Sequence, residues 1–350
     1  MRVFVAPVAG HPLAAVVEAL AGAPRPAGAP ARHSLAPSPA DAELILLCGS
    51  FTARPRRLTE HPLYRAFPER CAVYTGDDHY CPLAPGVYTS PRRGLSTAVG
   101  RVRSHAFASS YGDHGNLAVQ AAAARFDPGA PGPASLLLSF EGSASSRLRR
   151  RLFALDLDPG ECAVRDSTGA YDHFDHDAPA RAEGQARYVR TMLDSAFVLC
   201  PRGVGTGTLR LFEAMSLGRA PVVLSDRYVL PRGPDWAALA LRVPERHVGR
   251  VAAILRAERP GAAARGAAAR RAWERHFAPD VLFDELVDAA AQALAADRRW
   301  RPVVRALRPA MVLALWVRRD LRRDLSGLAV GVRRAWRAQR RRTSRSRTPA

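Results

Sequence analysis

Cys200-Pro-Arg-Gly-Val-Gly-Thr-Gly-Thr-Leu-Arg-Leu-Phe-Glu-Ala-Met215, followed at once by Gly218-Arg-Ala-Pro-Val-Val-Leu-Ser-Asp226, reads as strand, glycine-rich turn, helix, strand. Phe197 to Cys200 is a short apolar strand. Gly203, Gly205 and Gly207 permit backbone conformations closed to other residues. Leu211, Phe212 and Met215 then recur at helical spacing within Thr208 to Leu217. Such a turn aims free backbone N–H groups and the positive end of a helix at one spot, which suits an anion and above all a phosphate.

The glycine spacing matches neither the dinucleotide fingerprint nor the lysine-bearing triphosphate loop. The flanking side chains carry more. Arg202 and Arg210 bracket the turn, and guanidinium forks suit a diphosphate. Glu213, one turn beyond Arg210, is placed to accept hydrogen bonds from sugar hydroxyls, although Arg210 and Glu213 at i and i+3 equally suit an ion pair with each other. Ser225 and Asp226 close the next strand, at the end where open parallel sheets bind ligands.

With these residues in hand, the chain resembles the exostosin-like glycosyltransferases, in which a Cys-Pro-Arg-Gly run leads into Arg-Leu-Phe-Glu-Ala-Met and then Pro-Val-x-Leu-Ser-Asp. The likeness continues through Tyr228, Pro231, Trp236 and Val243-Pro-Glu245, and reaches back to Ser135–Ser143 with Arg147. A weaker likeness, Asp77-Asp-His79 ahead of Pro85-Gly-Val-Tyr88, covers the first half. The resemblance implies an α/β protein of GT-B architecture: two Rossmann-like parallel-sheet domains facing a cleft, with the nucleotide-sugar donor on the second and the acceptor on the first. It implies transfer of a sugar from a nucleotide diphosphate, expected to be UDP, to a hydroxyl of a glycan or lipid-linked acceptor in bacterial surface polysaccharide assembly. Many retaining GT-B enzymes carry an acid eight positions before this glutamate, where Gly205 stands here, so the expected transfer is inverting.

Roles follow from that reading. Arg202, Arg210 and Thr208, with Gly203, Gly205 and Gly207, are expected at the diphosphate. Arg147 would reach the same group from the neighbouring strand end, or simply face solvent beside Arg149, Arg150 and Arg151. Tyr228 would stack on the base or the sugar, or serve as a packing anchor. The acceptor hydroxyl must lose a proton, and Asp78, then His79, is the expected base, with Asp113-His114 as the other candidate. No cofactor is expected besides the donor substrate, and no metal. Asp156-Leu-Asp158 follows a helix rather than a strand, and the cluster Tyr171–Asp177 reads as a polar loop. The competing reading is a catalytically inactive glycan-binding or scaffold protein on the same fold, docked to membrane by its tail.

Composition sets outer limits. Among 350 residues, 47% are hydrophobic, enough for two ordinary cores. Lysine is absent, so all 52 basic residues are arginine, a bias of composition rather than of function. Five scattered cysteines lack metal-ligand spacing and suggest reduced thiols, hence a cytoplasmic setting. Pro7, His11, Pro12 and Glu18 interrupt any signal-peptide core, and no apolar stretch approaches spanning length.

The expected organisation is an acceptor-side domain over 1–126, a Pro/Gly linker over 127–133, a donor domain over 134–300 and a basic tail over 301–350. The tail holds 15 arginines against Asp320 and Asp324, and so supplies most of the net +20. Val317, Leu321, Leu325, Leu328, Val332 and Trp336 recur there at steps of three or four, the pattern of a basic amphipathic helix. Three roles stay open for it: packing on the body with a solvated end, docking at an anionic inner membrane surface, or nucleic-acid binding, for which it has charge but no base-reading module.

Overall fold

The computed structural model describes residues 1–25, 30–51, 56–80, 82–111, 115–127, 134–169 and 179–300, with 302, 303 and 306. It divides into a compact body, Met1–Arg298, and a second unit, Arg299–Ala350. Most of the second unit, with its amphipathic repeat, lies outside the described residues, as do most of the Pro/Gly linker, Asp113-His114 and the cluster 171–177. No described helix is long and apolar enough to cross a membrane.

The body is built on two parallel sheets, the GT-B layout. The first contains β1 (Arg2–Pro7), β2 (Ser34–Leu35), β3 (Leu44–Cys48), β4 (Cys71–Thr75), β5 (Gly86–Tyr88) and β6 (Val102–Ser104) in the order β2-β1-β3-β4-β5-β6. Every residue of β3 and β4 is buried, because helices cover both faces of the sheet, and their unbroken apolar runs are the sequence form of that burial. The second sheet contains β7 (Leu136–Gly142), β8 (Cys162–Asp166), β9 (Ser195–Pro201), β10 (Ala220–Leu224) and β11 (Leu241–Arg242) in the order β11-β10-β9-β7-β8. The chain runs outward from β7 to β8, then returns to lay β9 on the other side of β7. The crevice at the carboxyl ends of β7 and β9 is therefore the topological switch point, the usual ligand position of such sheets.

Two features join the halves. The segment after β5 pairs with the segment after β10: Arg93 N donates to Arg227 O at 3.0 Å, Val229 N donates to Pro91 O at 3.3 Å, and Arg92 and Tyr228 form an antiparallel bridge. The helix that begins at residue 279 follows the second sheet in sequence but returns to the first. Its Asp284, 2% exposed, accepts from Arg25 Nη1 at 2.6 Å and from the backbone N–H groups of Arg32 and His33 at 3.2 Å. Arg32 also reaches Asp288, and buried Arg101 meets buried Asp297 at 2.5 Å. Leu286, Val287 and Ala290 of that helix share one core with Val3, Val17 and Leu46. The first lobe thus contains residues from both ends of the body.

Candidate active site

At the switch point a cleft of about 450 Å³ opens between the lobes, lined from the first lobe by Asp78, Phe107, Gly115 and Asn116 and from the second by residues of four segments. The strand β9 ends in the turn 202–208, which leads into the helix Leu209–Ser216. Thr208 occupies the position before that helix in an extended conformation, and its side chain caps nothing, so the helix start faces the cleft with no side-chain cap; Leu211 N turns back to Thr208 O at 3.2 Å. Across from it, Gly142 ends β7, and the helix Arg147–Phe153 begins at Ser146, whose hydroxyl accepts from Arg149 N at 3.2 Å. The third wall is the helix Pro179–Leu193, which presents Arg181, Gln185 and Tyr188 at steps of four and three.

Three arginines, Arg149, Arg181 and Arg210, converge on this space. Arg210 is buried, its guanidinium 4.6 Å from the centre of the Phe140 ring and 5.5 Å from that of Tyr188. Its Nη2 donates to Glu141 O, while its Nε is buried with no partner among the described residues. Burial disfavours the Arg210 charge, but Tyr188, Glu213 and Cys200 outweigh it and leave the pKa raised. Arg149 donates to Pro201 O, Ser143 O and Ser145 Oγ at 3.2–3.3 Å. Burial, and then the charge of Arg210, lowers its pKa to about 10. Two cations pressed together in a desolvated wall are what an incoming anion relieves.

Glu213 stands beside them, 8% exposed, and Oε2 accepts from Tyr188 Oη at 2.6 Å. Burial raises its pKa, against the Tyr188 hydrogen bond and the Arg210 charge. Glu141 is also buried and is held by Arg187 Nη2 at 2.8 Å. Burial pushes the Cys200 thiol up to about 12, and Sγ donates to Val198 O, so it is a packing group rather than a nucleophile.

The sequence-expected residues divide. Arg210, Thr208, Gly203, Gly207, Glu213 and Asp78 all line the cleft. Arg202 does not: Nε and Nη2 each sit 2.8 Å from a carboxylate oxygen of Glu245, which raises the Arg202 pKa. Asp226 belongs to the same knot, giving its N–H to Glu245 Oε1 and taking that of Glu245 on Oδ1. Ser225 is buried and donates to Thr206 O, shaping the turn from behind. Tyr228 is 1% exposed, with Ser104 donating to its hydroxyl at 3.4 Å, so it packs between the lobes and offers no face to a ligand.

Arg147 is exposed and His79 is exposed, and neither lines the cleft. Arg149 takes the place expected of Arg147, because Leu148 and Leu152 turn the helix so that Arg149 faces the turn after β9. Asp77 is taken by Ser50 Oγ and Phe51 N, which leaves Asp78 at the cleft. Gly203 and Gly207 line the cleft, whereas Gly205 does not, and Gly205 and Gly207 serve close approach to the first lobe. A Cβ on Gly205 would lie 2.6 Å from both Asp78 Oδ1 and Ser90 Oγ, and one on Gly207 only 2.2 Å from Thr89 O. Among the described residues no group of three His, Cys, Asp or Glu is placed to hold a metal.

Residues 130–257, which contain this second-lobe wall, match the family described as Exostosin GT47 domain. Over this span the chain is similar to exostosin domains. The chain is 38% identical over 72 residues to a probable glucuronoxylan glucuronosyltransferase IRX7 of Arabidopsis thaliana, covering 20% of this chain and 16% of that protein. It is 39% identical over 61 residues to an Exostosin-1 homolog of Caenorhabditis elegans, 17% of this chain and 16% of the other. With Exostosin-1 of Drosophila melanogaster it shares 37% over 95 residues, 26% of this chain and 12% of that one. The chain therefore spans a small part of the curated relatives it matches. Among solved structures, MurG of Acinetobacter baumannii aligns over 71% of this chain and 73% of its own at 14% identity with a TM-score of 0.31, too slight a likeness to argue from. The exostosin-like span supplies three of the cleft's walls, and Asp78, Phe107, Gly115 and Asn116 of the other lobe supply the fourth.

Proposed function

We propose that the chain transfers a sugar from a nucleotide diphosphate, UDP on this reading, to a hydroxyl of a glycan or lipid-linked acceptor. The observation that supports it best is the convergence of Arg149, Arg181 and Arg210 with an uncapped helix start at the switch point of the exostosin-like span. The acceptor oxygen attacks the anomeric carbon, the bond from that carbon to the diphosphate oxygen breaks, and its electron pair leaves with the diphosphate. Asp78, facing the exostosin-like span across the cleft, takes the acceptor proton. Arg149 and Arg210 meet the charge that develops on the leaving group, and their mutual repulsion is relieved as it forms. Glu213, fixed by Tyr188, accepts from hydroxyls of the donor. In-line attack from the opposite lobe makes the transfer inverting. Surface polysaccharide assembly is the setting proposed for it.

Calorimetry with UDP and GDP, followed by donor hydrolysis with sugars of whichever nucleotide binds, tests the proposal. Removing a charge-assisted contact costs about 1.5–3 kcal/mol. Arg149→Met is therefore expected to weaken UDP binding at least tenfold. Arg202→Met is expected to leave it within twofold while lowering the melting temperature, because Glu245 loses its partner. No binding of either nucleotide by the wild type rejects the transferase and leaves the inactive glycan-binding or scaffold protein. Equal loss in the two variants rejects the assignment of the cations.

A further inference from the structure

A second cavity, of about 470 Å³, opens on the adjacent face of the helix Leu209–Ser216, with Glu213 in the wall of both spaces. Its volume is ordinary for a ligand site, roughly 300–1,000 Å³. Its chemistry is opposite to that of the cleft. The floor is apolar and aromatic, built on Tyr111, Phe212 and Trp273. Arg270, the one cation among its described lining residues, is already engaged: Nε donates to Glu274 at 2.7 Å, Nη1 donates to Ala123 O and Ser216 O, and the guanidinium stacks 4.8 Å from the Trp273 ring centre. Three carboxylates, Glu213, Glu274 and Asp280, stand against that single arginine. Among the described residues Asp280 makes no hydrogen bond or ion pair, and Ser110 Oγ is buried with no partner.

An anion is repelled by such a wall, so this is not a second diphosphate site. A purely apolar guest would leave Asp280 and Ser110 desolvated without compensation. The guest that meets both demands has an apolar C–H face for the aromatic rings and hydroxyl donors at its edge for the carboxylates. We propose that this cavity binds an uncharged sugar ring, separately from the nucleotide cleft. Its membership of the acceptor glycan rests on the transferase reading above, whereas its binding does not.

Saturation-transfer NMR with three neutral probes, xylotetraose, cellotetraose and maltotetraose, tests the assignment with UDP present in excess. At least one is expected to receive saturation. Ala124 lies exposed at the rim, so Ala124→Trp closes the cavity from outside without touching the core. That variant is expected to lower the transfer at least tenfold with its melting temperature and UDP affinity unchanged, and Asp280→Ala to weaken it in the same direction. No transfer to any probe, displacement of the probe by UDP, or undiminished transfer in Ala124→Trp overturns the proposal. Failure of UDP to bind the wild type, with saccharide binding intact and sensitive to Ala124→Trp, rejects the nucleotide reading alone and upholds this one.

Discussion

Replacing Tyr188 by Phe removes one oxygen from the buried hydroxyl–carboxylate contact at 2.6 Å with Glu213, and the cost depends on whether Glu213 is ionised. Burial holds the Glu213 carboxyl above the usual carboxylate range, and the Tyr188 hydrogen bond and Arg210 charge pull it back. Around it stand Arg210 on its own helix, Tyr188 and Cys200 from neighbouring elements, and Tyr111, Arg270, Glu274 and Asp280 around the second cavity. A carboxyl whose native pKa lies above its unfolded value contributes fully at pH below the unfolded value, and that contribution is lost as pH rises through the native value. Deleting the hydroxyl raises the native value further. As pH rises from 4 to 8 the ionised form of Glu213 gains weight: ionised, the variant leaves a buried charge short of a donor and should lose about 1.5–3 kcal/mol, whereas protonated it loses only a neutral hydrogen bond, about 0.5–1.5 kcal/mol. Denaturant unfolding of both proteins at the two pH values measures the difference, and all other titrating groups cancel in the comparison. A penalty equal at pH 4 and pH 8, or larger at pH 4, refutes the reasoning.

Two further outcomes follow from the same geometry. Gly207→Ala places a Cβ against the Thr89 carbonyl oxygen, so the lobes must part locally at a cost of about 1–3 kcal/mol; an unchanged melting temperature would show that the turn does not rest on the first lobe. His105 is buried against the Phe277 ring, and burial, with the nearby His276, takes its pKa down to about 3. The unfolded chain binds that proton below about pH 6.5 and the native protein does not, so stability falls with acidification by up to about 1.4 kcal/mol per pH unit. His105→Leu should flatten the slope of stability between pH 6 and 4 by that amount; an identical slope counts against a neutral buried imidazole.

The site was legible in the sequence where it is local. The turn after β9, the helix carrying Arg210 and Glu213, and the strand ending at Leu224 are contiguous, so glycine placement, helical spacing and an apolar run were enough. Arg149 was hidden among Arg147, Arg150 and Arg151, because the choice among neighbouring arginines depends on how the helix is rotated. The available signal was Leu148 and Leu152, four apart and both buried, which turn Arg149 toward the cleft. Tyr188 and Arg181 were missed because a polar residue facing a buried cleft looks, along the chain, like one facing water. Arg202 misled for the opposite reason: a forked cation near a phosphate turn is as well satisfied by the distant Glu245 as by a ligand. The strands β5 and β6, three residues each, are too short to show a period. The return of the last helix of the body to the first lobe left a trace, the carboxylates Asp284, Asp288 and Asp297 in an arginine-rich chain, but no local rule names Arg25, Arg32 and Arg101 as their partners.

That return has a consequence for how the protein is made. On the ribosome, the strands β1 to β6 emerge early, yet Arg25, Arg32 and Arg101 wait for carboxylates that are synthesised nearly two hundred residues after the last of those strands. The nascent first lobe therefore keeps an uncovered flank while residues 130–257 are translated, and it closes only after they have been made.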